Sequence, residues 1–234
     1  MVATEAPLLE LAVAGRDQPL AFRPERLVIA GFTGRDRTET DRHIAELEAL
    51  GIAPPEQTPA FYEVPPGLLT TSERVEVDGT ETSGEVEPVL LCTPEGRFVT
   101  VGSDHTARDL EREDIRLSKV ACPKVIATEV VSAEEAAEHW DDTVLESWTG
   151  AARERYQAGS TKSLMTISSL LELLESRMQI SPTGLVMFLG TVPLLTPRFV
   201  FSDAYSLRMG FPHGHDIKLA YRVSVNGKQT DRGE

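Results

Sequence analysis

Glu85 and Glu87 stand two residues apart at the head of an apolar run, Glu85-Val86-Glu87-Pro88-Val89-Leu90-Leu91-Cys92. In an extended strand, residues two apart point to the same face, about 6.6 Å from one another along the chain, and the residue between them points away. The two carboxylates therefore converge on one side, and Val86 turns to the other, where apolar neighbours can cover it. If the carboxylate side is buried, two like charges at this spacing cannot both ionise cheaply without a cation. A short turn, Pro94-Glu95-Gly96, then returns the chain antiparallel through Arg97-Phe98-Val99-Thr100-Val101-Gly102, and Asp104 at its exit comes beside the start of the first strand. Three carboxylates then face one spot. Hard oxygen ligands of this kind suit Mg²⁺, Mn²⁺ or Ca²⁺, and a three-ligand site keeps coordination positions for water or a chelating substrate.

Other residues with chemical potential sort differently. His213-Gly214-His215 lies in a Gly/Pro-rich stretch and reads as a loop rather than as a ligand pair. His105 follows Asp104 directly, so on extended chain it points to the opposite side. Cys92 and Cys122 form neither a metal-spacing motif nor a disulfide framework, which makes a reducing cytoplasm the default compartment. G-x-S-x-G, P-loop and G-x-G-x-x-G motifs are all missing, so serine-hydrolase, nucleotide-hydrolysing and dinucleotide readings have no support.

The elements that hold these residues are short. Residues 8–15 and 21–32 read as strands with a turn at 15–18, giving an N-terminal β-hairpin over 1–26. Between Thr38 and Leu50 the period changes: Ile44, Leu47 and Leu50 fall at helical spacing and Gly51 follows as a stop. Residues 60–64, 74–77, 85–92 and 97–102 read as strands; residues 103–119 read as irregular and charged, with one helical turn near Arg108. Extended structure resumes over 124–131, a helix starts after Ser132, and a longer amphipathic helix is expected over 163–178. Strands are expected over 184–191, 198–209 and 216–225, followed by a frayed tail over 226–234. Many short strands with a few helices predict an α+β, mainly β fold in a single domain spanning 1–234. Parallel βαβ alternation is not sustained.

Composition narrows the partners. The chain has 37 acidic and 23 basic residues among 234, a formal net charge of −14. Residues 1–150 hold 30 of the acidic and 13 of the basic residues, so this segment carries the whole excess. Nucleic acid and anionic membranes demand clustered Lys and Arg, and neither is expected as a partner. The N-terminus lacks the basic region of a signal peptide, and no apolar stretch approaches the ~18 residues that span a bilayer. Most of the carboxylates read as a solvated surface.

Four segments in order, SGEVEPVLL, GSDHTARDLE, KVACP and GLVMFLGTVP, resemble the signature segments of the fumarylacetoacetate hydrolase superfamily over residues 27 to 195. The whole chain also resembles an uncharacterised bacterial family distantly related to it. The resemblance implies a mixed β-sandwich/β-roll with peripheral helices, a homodimer, and a divalent cation, Mg²⁺ or else Mn²⁺ or Ca²⁺. Residue by residue, it makes Glu85, Glu87 and Asp104 the metal ligands and Lys119 the active-site lysine. It makes Thr191 a contact to a substrate carboxylate or carbonyl, although here Val192 separates Thr191 from Pro193 where the family has Gly-Thr-Pro. The family's lid carries a His-x-x-Glu pair that activates water. His43 and Glu46 have that spacing on the expected helix, six residues beyond the position that an ungapped alignment gives to Arg37. Arg35, beside the same segment, has the fork geometry to take a substrate carboxylate. Arg108 and Asp109 read as local pairing that holds their loop.

The function implied is a metal-dependent hydrolase that cleaves a carbon–carbon bond in a small 2-oxo or 1,3-dicarbonyl acid of acylpyruvate type. Two alternatives stay open: a lyase or isomerase on the same core, and a non-catalytic binding protein of the same fold.

Overall fold

The computed structural model describes residues 5–49 and 54–226. The chain opens with β1 (Leu9–Val13), β2 (Leu20–Phe22) and β3 (Arg26–Gly31). Pro24, which has no N–H to give a ladder, separates β2 from β3 where the sequence reads as one strand. Then come α1 (Arg37–Ala49), β4 (Ala60–Val64), β5 (Leu69–Thr70), β6 (Arg74–Val77) and β7 (Thr82–Ser83). The middle of the chain forms β8 (Val86–Thr93), β9 (Gly96–Asp104), β10 (Thr106–Ala107), α2 (Arg108–Glu111) and α3 (Ile115–Val120). After β11 (Lys124–Ile126), β12 (Glu129–Ser132) and α4 (Ala133–Glu138), a hairpin of β13 (Val144–Thr149) and β14 (Glu154–Ser160) precedes α5 (Ile167–Met178). β15 (Leu185–Phe188), β16 (Ala204–Gly210) and β17 (Asp216–Val225) complete the described chain. Beyond Asn226 the tail lies outside the described residues, as does the end of the 38–50 helical stretch at Leu50.

Ten strands make one sheet, ordered β2-β1-β12-β9-β8-β15-β3-β4, with β11 and β5 joined at β9. One buried cluster takes Leu9 and Leu11 from one end of this order, Ile29 and Val64 from the other, and Val89, Phe98, Val130 and Phe188 from the middle. Strands from opposite ends can share a core only if the sheet curls round it. The result is a partly closed half-barrel, and the mainly β, α+β class expected from the sequence is what forms. The outer face packs Val86, Leu90, Val99, Val101 and Met187 against α5 and a second sheet, ordered β14-β13-β16-β17-β6. Both faces of β8 are thus covered, and every residue along it is buried. No helix among the described residues is long and apolar enough to cross a membrane.

Departures from the sequence reading have local causes. Residues 103–119 are not irregular. They carry α2 and α3, the latter started by Asp114, whose carboxylate accepts from the Leu117 N–H at 2.8 Å. The long helix begins only at Ile167, because the Thr166 side chain caps it by accepting from Ser169 N–H. Phe199 and Phe201 lie half exposed in a loop rather than in a strand, and the last hairpin starts at Ala204.

Leu170 is fully buried on α5, in the core cluster that α5 shares with both sheets. Leu170→Ala removes methyl groups from that cluster, and about 2–5 kcal/mol of stability should be lost. Urea unfolding is expected to show a lower midpoint at unchanged slope.

Candidate metal centre

Register gathers the acids. β8 and β9 pair antiparallel with Val86 opposite Ser103 and Glu87 opposite Gly102, and the Asp104 N–H donates to the Glu85 carbonyl at 3.1 Å. Glu85, Glu87 and Asp104 each present a carboxylate oxygen within 4.8 Å of the others. Alternation puts Glu87 on the inner face with Val89 and Leu91, and Asp104 on the same face with Phe98. Val86 falls on the outer face, fully buried, as its place in Glu-Val-Glu requires. Gly102, opposite Glu87, has no room for a side chain, because a Cβ there would come within 2.6 Å of Val89 and 2.8 Å of Phe188.

Three cations reach this acidic face from three elements. Lys119, near the end of α3, pairs with Asp104 Oδ2. Lys124, opposite Asp104 on β11, lies 2.9 Å from Oδ1 and donates to the His105 carbonyl. Arg108 pairs with Glu85 at 3.1 Å and Glu111 at 2.9 Å, donates to Ser83 Oγ at 2.8 Å, and lies 4.0 Å from the centre of the Phe199 ring. Among the described residues Glu87 has no such paired cation. Its Oε2 accepts from the backbone N–H of Gly190 at 2.8 Å. Gly190 adopts φ +102°, and a Cβ there would overlap the Thr33 hydroxyl, so only glycine can present that N–H.

The electrostatics follow from this unequal support. Burial, then the Asp104 charge, pushes Glu87 well above the usual carboxylate range, and neither Lys119 nor the Gly190 N–H reverses it. Burial acts on Asp104 in the same direction, but Lys119 and Lys124 outweigh it and hold Asp104 well below that range. Burial depresses Lys119, and the charges of Asp104, Glu85 and Glu87 more than restore it, so its ammonium is held above the usual range. Lys124 is lowered by burial, with Asp104 opposing and Lys119 adding to the fall.

Of the residues singled out from the sequence, Glu85, Glu87, Asp104 and Lys119 meet at one place. Thr191 is close by: its hydroxyl donates to the Val86 carbonyl at 2.8 Å and accepts from Gln157 Nε2 at 2.9 Å. Arg35 lies in the β3–α1 connection, where it forks onto both oxygens of Asp141 at 2.7 and 3.1 Å. His43 and Glu46 belong to α1, and their side chains fall outside the described residues. His105 turns to the opposite face as alternation demands, with Nδ1 2.9 Å from the Tyr221 hydroxyl and Nε2 3.0 Å from Thr82 Oγ1; burial, followed by Lys124 and Arg108, brings its pKa down to about 3.

Lys124 and Gln157 escaped the sequence reading. The period-two spacing of Lys124 and Ile126 was the available signal for the first. Gln157 of β14 carried none, because its bonds to Val86 N–H, Thr191 and the Val192 carbonyl join distant segments.

Opposite outcomes are expected for the two buried acids. Glu87→Gln replaces a carboxyl that burial holds toward its neutral form, so the metal-free protein should keep its stability while affinity for Mn²⁺ falls by roughly ten-fold or more. Asp104→Asn leaves two buried ammonium groups without a counter-ion and should cost about 3–5 kcal/mol. Titration calorimetry and urea unfolding separate the two.

The pH dependence follows from Glu87. A carboxyl raised on folding stabilises fully below its unfolded value, and this contribution fades as pH rises through the raised folded value. A cation must displace the Glu87 proton, so Mn²⁺ affinity should rise with pH over that interval. Calorimetry in two buffers of different ionisation enthalpy should register proton release on binding.

The fold has solved counterparts. An Oleispira antarctica protein provisionally named a fumarylacetoacetate isomerase/hydrolase superposes with a TM-score of 0.66 at 17% identity, over 93% of this chain and 100% of that one. Fumarylpyruvate hydrolase from Pseudomonas aeruginosa, solved with Mn²⁺ and pyruvate, gives 0.63 at 18%, over 94% and 98%. A 2-keto-3-deoxy-D-arabinonate dehydratase, complexed with magnesium and 2,5-dioxopentanoate, gives 0.61 at 15%, over 91% and 78%. No curated protein matches the chain. Identities this low show a shared fold. Residues 30–221 match the family described as "Protein of unknown function (DUF2848)". The chain belongs to that family and shares the fold of these fumarylacetoacetate-hydrolase-like structures.

Proposed function

We propose that the protein is a divalent-metal-dependent hydrolase that cleaves a carbon–carbon bond in a small acylpyruvate-type acid. The observation that carries this is the charge balance of the buried cluster. Glu85, Glu87, Asp104 and Glu111 face Arg108, Lys119 and Lys124, so the cluster is neutral with Glu87 protonated and −1 with it ionised. A divalent ion on the three ligands takes it to +1, which favours an anionic ligand with two oxygens to share. A 2-oxo acid fits that description.

When bound, the cation supplies a Lewis acid beside the oxo acid's carbonyl oxygen, where negative charge builds up as the adjacent carbon–carbon bond breaks. Lys119 adds a fixed positive charge to the same region. Thr191, aligned between Val86 and Gln157, offers its backbone N–H to the far end of the substrate. His43 on α1 takes a proton from water and Glu46, one turn on, orients it; positioned base catalysis of this kind contributes roughly 10²–10⁴-fold. Arg35 holds the substrate carboxylate by exchanging it for Asp141.

Mg²⁺ or Mn²⁺, a homodimer and a reducing cytoplasm complete the reading; the two buried free cysteines accord with the last.

The assay follows enol absorbance of acylpyruvates with Mg²⁺ or Mn²⁺, with oxaloacetate-like acids and sugar-derived 2-oxo acids alongside. Metal-dependent turnover of acylpyruvates is expected, with kcat lowered by roughly 10²–10⁴-fold in His43→Ala at unchanged metal stoichiometry. Decarboxylation or dehydration without acylpyruvate cleavage would make it a lyase. Metal binding without turnover of any acid would leave a binding protein.

A further inference from the structure

We infer that Glu135, His139 and His213 form a second metal site, suited to a borderline transition ion such as Zn²⁺, Ni²⁺ or Cu²⁺, that staples the β16–β17 hairpin to α4. The sequence places only Asp216 beside His213 and His215, where it pairs with Arg208 at 2.7 Å, but the fold brings two further carboxylates. His213 Nε2 lies 3.4 Å from Glu135 Oε1, and His215 Nε2 lies 3.3 Å from Glu129 Oε1. Glu135 and His139 are four residues apart, on α4 and at its C-cap, so they project on one side of the helix. The His139 and His213 ring centroids are 5.1 Å apart.

The hairpin turn is built to present these rings. Phe211 N–H donates to the His215 carbonyl at 2.8 Å, and Gly214 N–H to the Phe211 carbonyl at 3.1 Å. Gly214 takes φ +90°, which a side chain would strain. The buried Phe211 ring stacks against His213 at 5.7 Å, and the His215 ring lies 6.1 Å from Phe211 and 6.2 Å from His213, so the three rings cluster. His215 Nε2 is itself buried without a hydrogen-bond partner. The turn is thus held against β12 and α4 by imidazole and carboxylate groups.

Two imidazole nitrogens with one carboxylate oxygen are the donor set of zinc and its neighbours, whereas the acidic trio is all oxygen and suits harder ions. The donors here are spread more widely than the trio, and His213, 42% exposed, is the ring able to swing and close the set. The fourth position falls to water or to His215.

Untagged protein dialysed against Zn²⁺ with Mg²⁺ in excess tests this by metal analysis, in wild type, Glu85→Gln/Glu87→Gln, His139→Gln and His213→Gln. One zinc should persist in the double glutamate variant, and its affinity should fall by roughly ten-fold or more in either histidine variant. Loss of zinc in the double glutamate variant alone, or no change in the histidine variants, overturns the proposal. Paramagnetic resonance of Cu²⁺-loaded wild type gives a second readout that does not depend on the glutamate variant. Two-imidazole nitrogen splitting that disappears in His213→Gln supports the site, and a spectrum without nitrogen coupling refutes it.

Discussion

Glu87 and Asp104 are buried together on one face of a sheet, and two carboxylates in that position cannot both be ionised unless positive charge comes to them. The surrounding structure answers this unevenly. Asp104 has two lysines, from α3 and β11, and Glu85 has Arg108 from α2. Glu87 has one backbone N–H, delivered by a glycine whose conformation and closeness to Thr33 exclude any side chain. The fold thus anchors two acids with its own cations and leaves the third short of charge. A divalent ion held by the three acids would offset that imbalance.

Period two along β8 and β9 makes this possible. Inner positions carry Glu87, Val89 and Leu91 against Asp104, Gly102 and Phe98; outer positions carry Val86 and Leu90 against Ser103, Val101 and Val99. Acids thus cap one end of an apolar core on the inside. The outer core continues uninterrupted to α5 and the second sheet. On that outer side, the same end is finished by His105, Tyr221 and Ser103, a neutral hydrogen-bonded group. Asp104 and His105 are neighbours in sequence with unrelated environments. One strand therefore separates a charged pocket from a neutral core, and the second sheet pins the junction through Gln157, which grips Val86 and the 191–192 backbone and side chain at once.

What the sequence disclosed and what it hid divide along the same line. Glu85, Glu87 and Asp104 were legible because a strand, a tight turn and a strand fix their relative faces by local geometry alone. Ser132 and the apolar spacing of α5 announced their helices for the same reason. Lys124 was overlooked because a lysine in a three-residue strand looks like solvent-facing polarity until its pairing opposite Asp104 is known. The β13–β14 hairpin was missed because Glu146, Gln157 and Gly159 blur its alternation, and only its pairing to β16 makes it part of a sheet. Glu135 and Glu129 could not be assigned to His213 and His215 from a separation of some eighty residues. Local periodicity tells which way a side chain points, whereas its partner is decided by the tertiary pairing.

On the proposed reading, the candidate metal ligands and the water-activating pair sit on different parts of the molecule. The acids and their cations are buried on strands and short helices that pair with one another on every side. The element that would supply a water-activating pair is α1, which enters from the β3–α1 connection. That connection is not loose: the Arg35 N–H donates to the Ser163 carbonyl at 2.8 Å, and the Thr33 carbonyl accepts from Met165 N–H at 2.8 Å. Thr33 also abuts Gly190, whose N–H holds Glu87. The base of α1 is therefore keyed through two residues to the one ligand that lacks a cation. On the proposed reading, that contact links the protonation of Glu87 to the root of the helix that carries His43 and Glu46. Under the same reading α1 can vary while the acidic trio keeps its own pairs, so one buried cluster is compatible with more than one reaction.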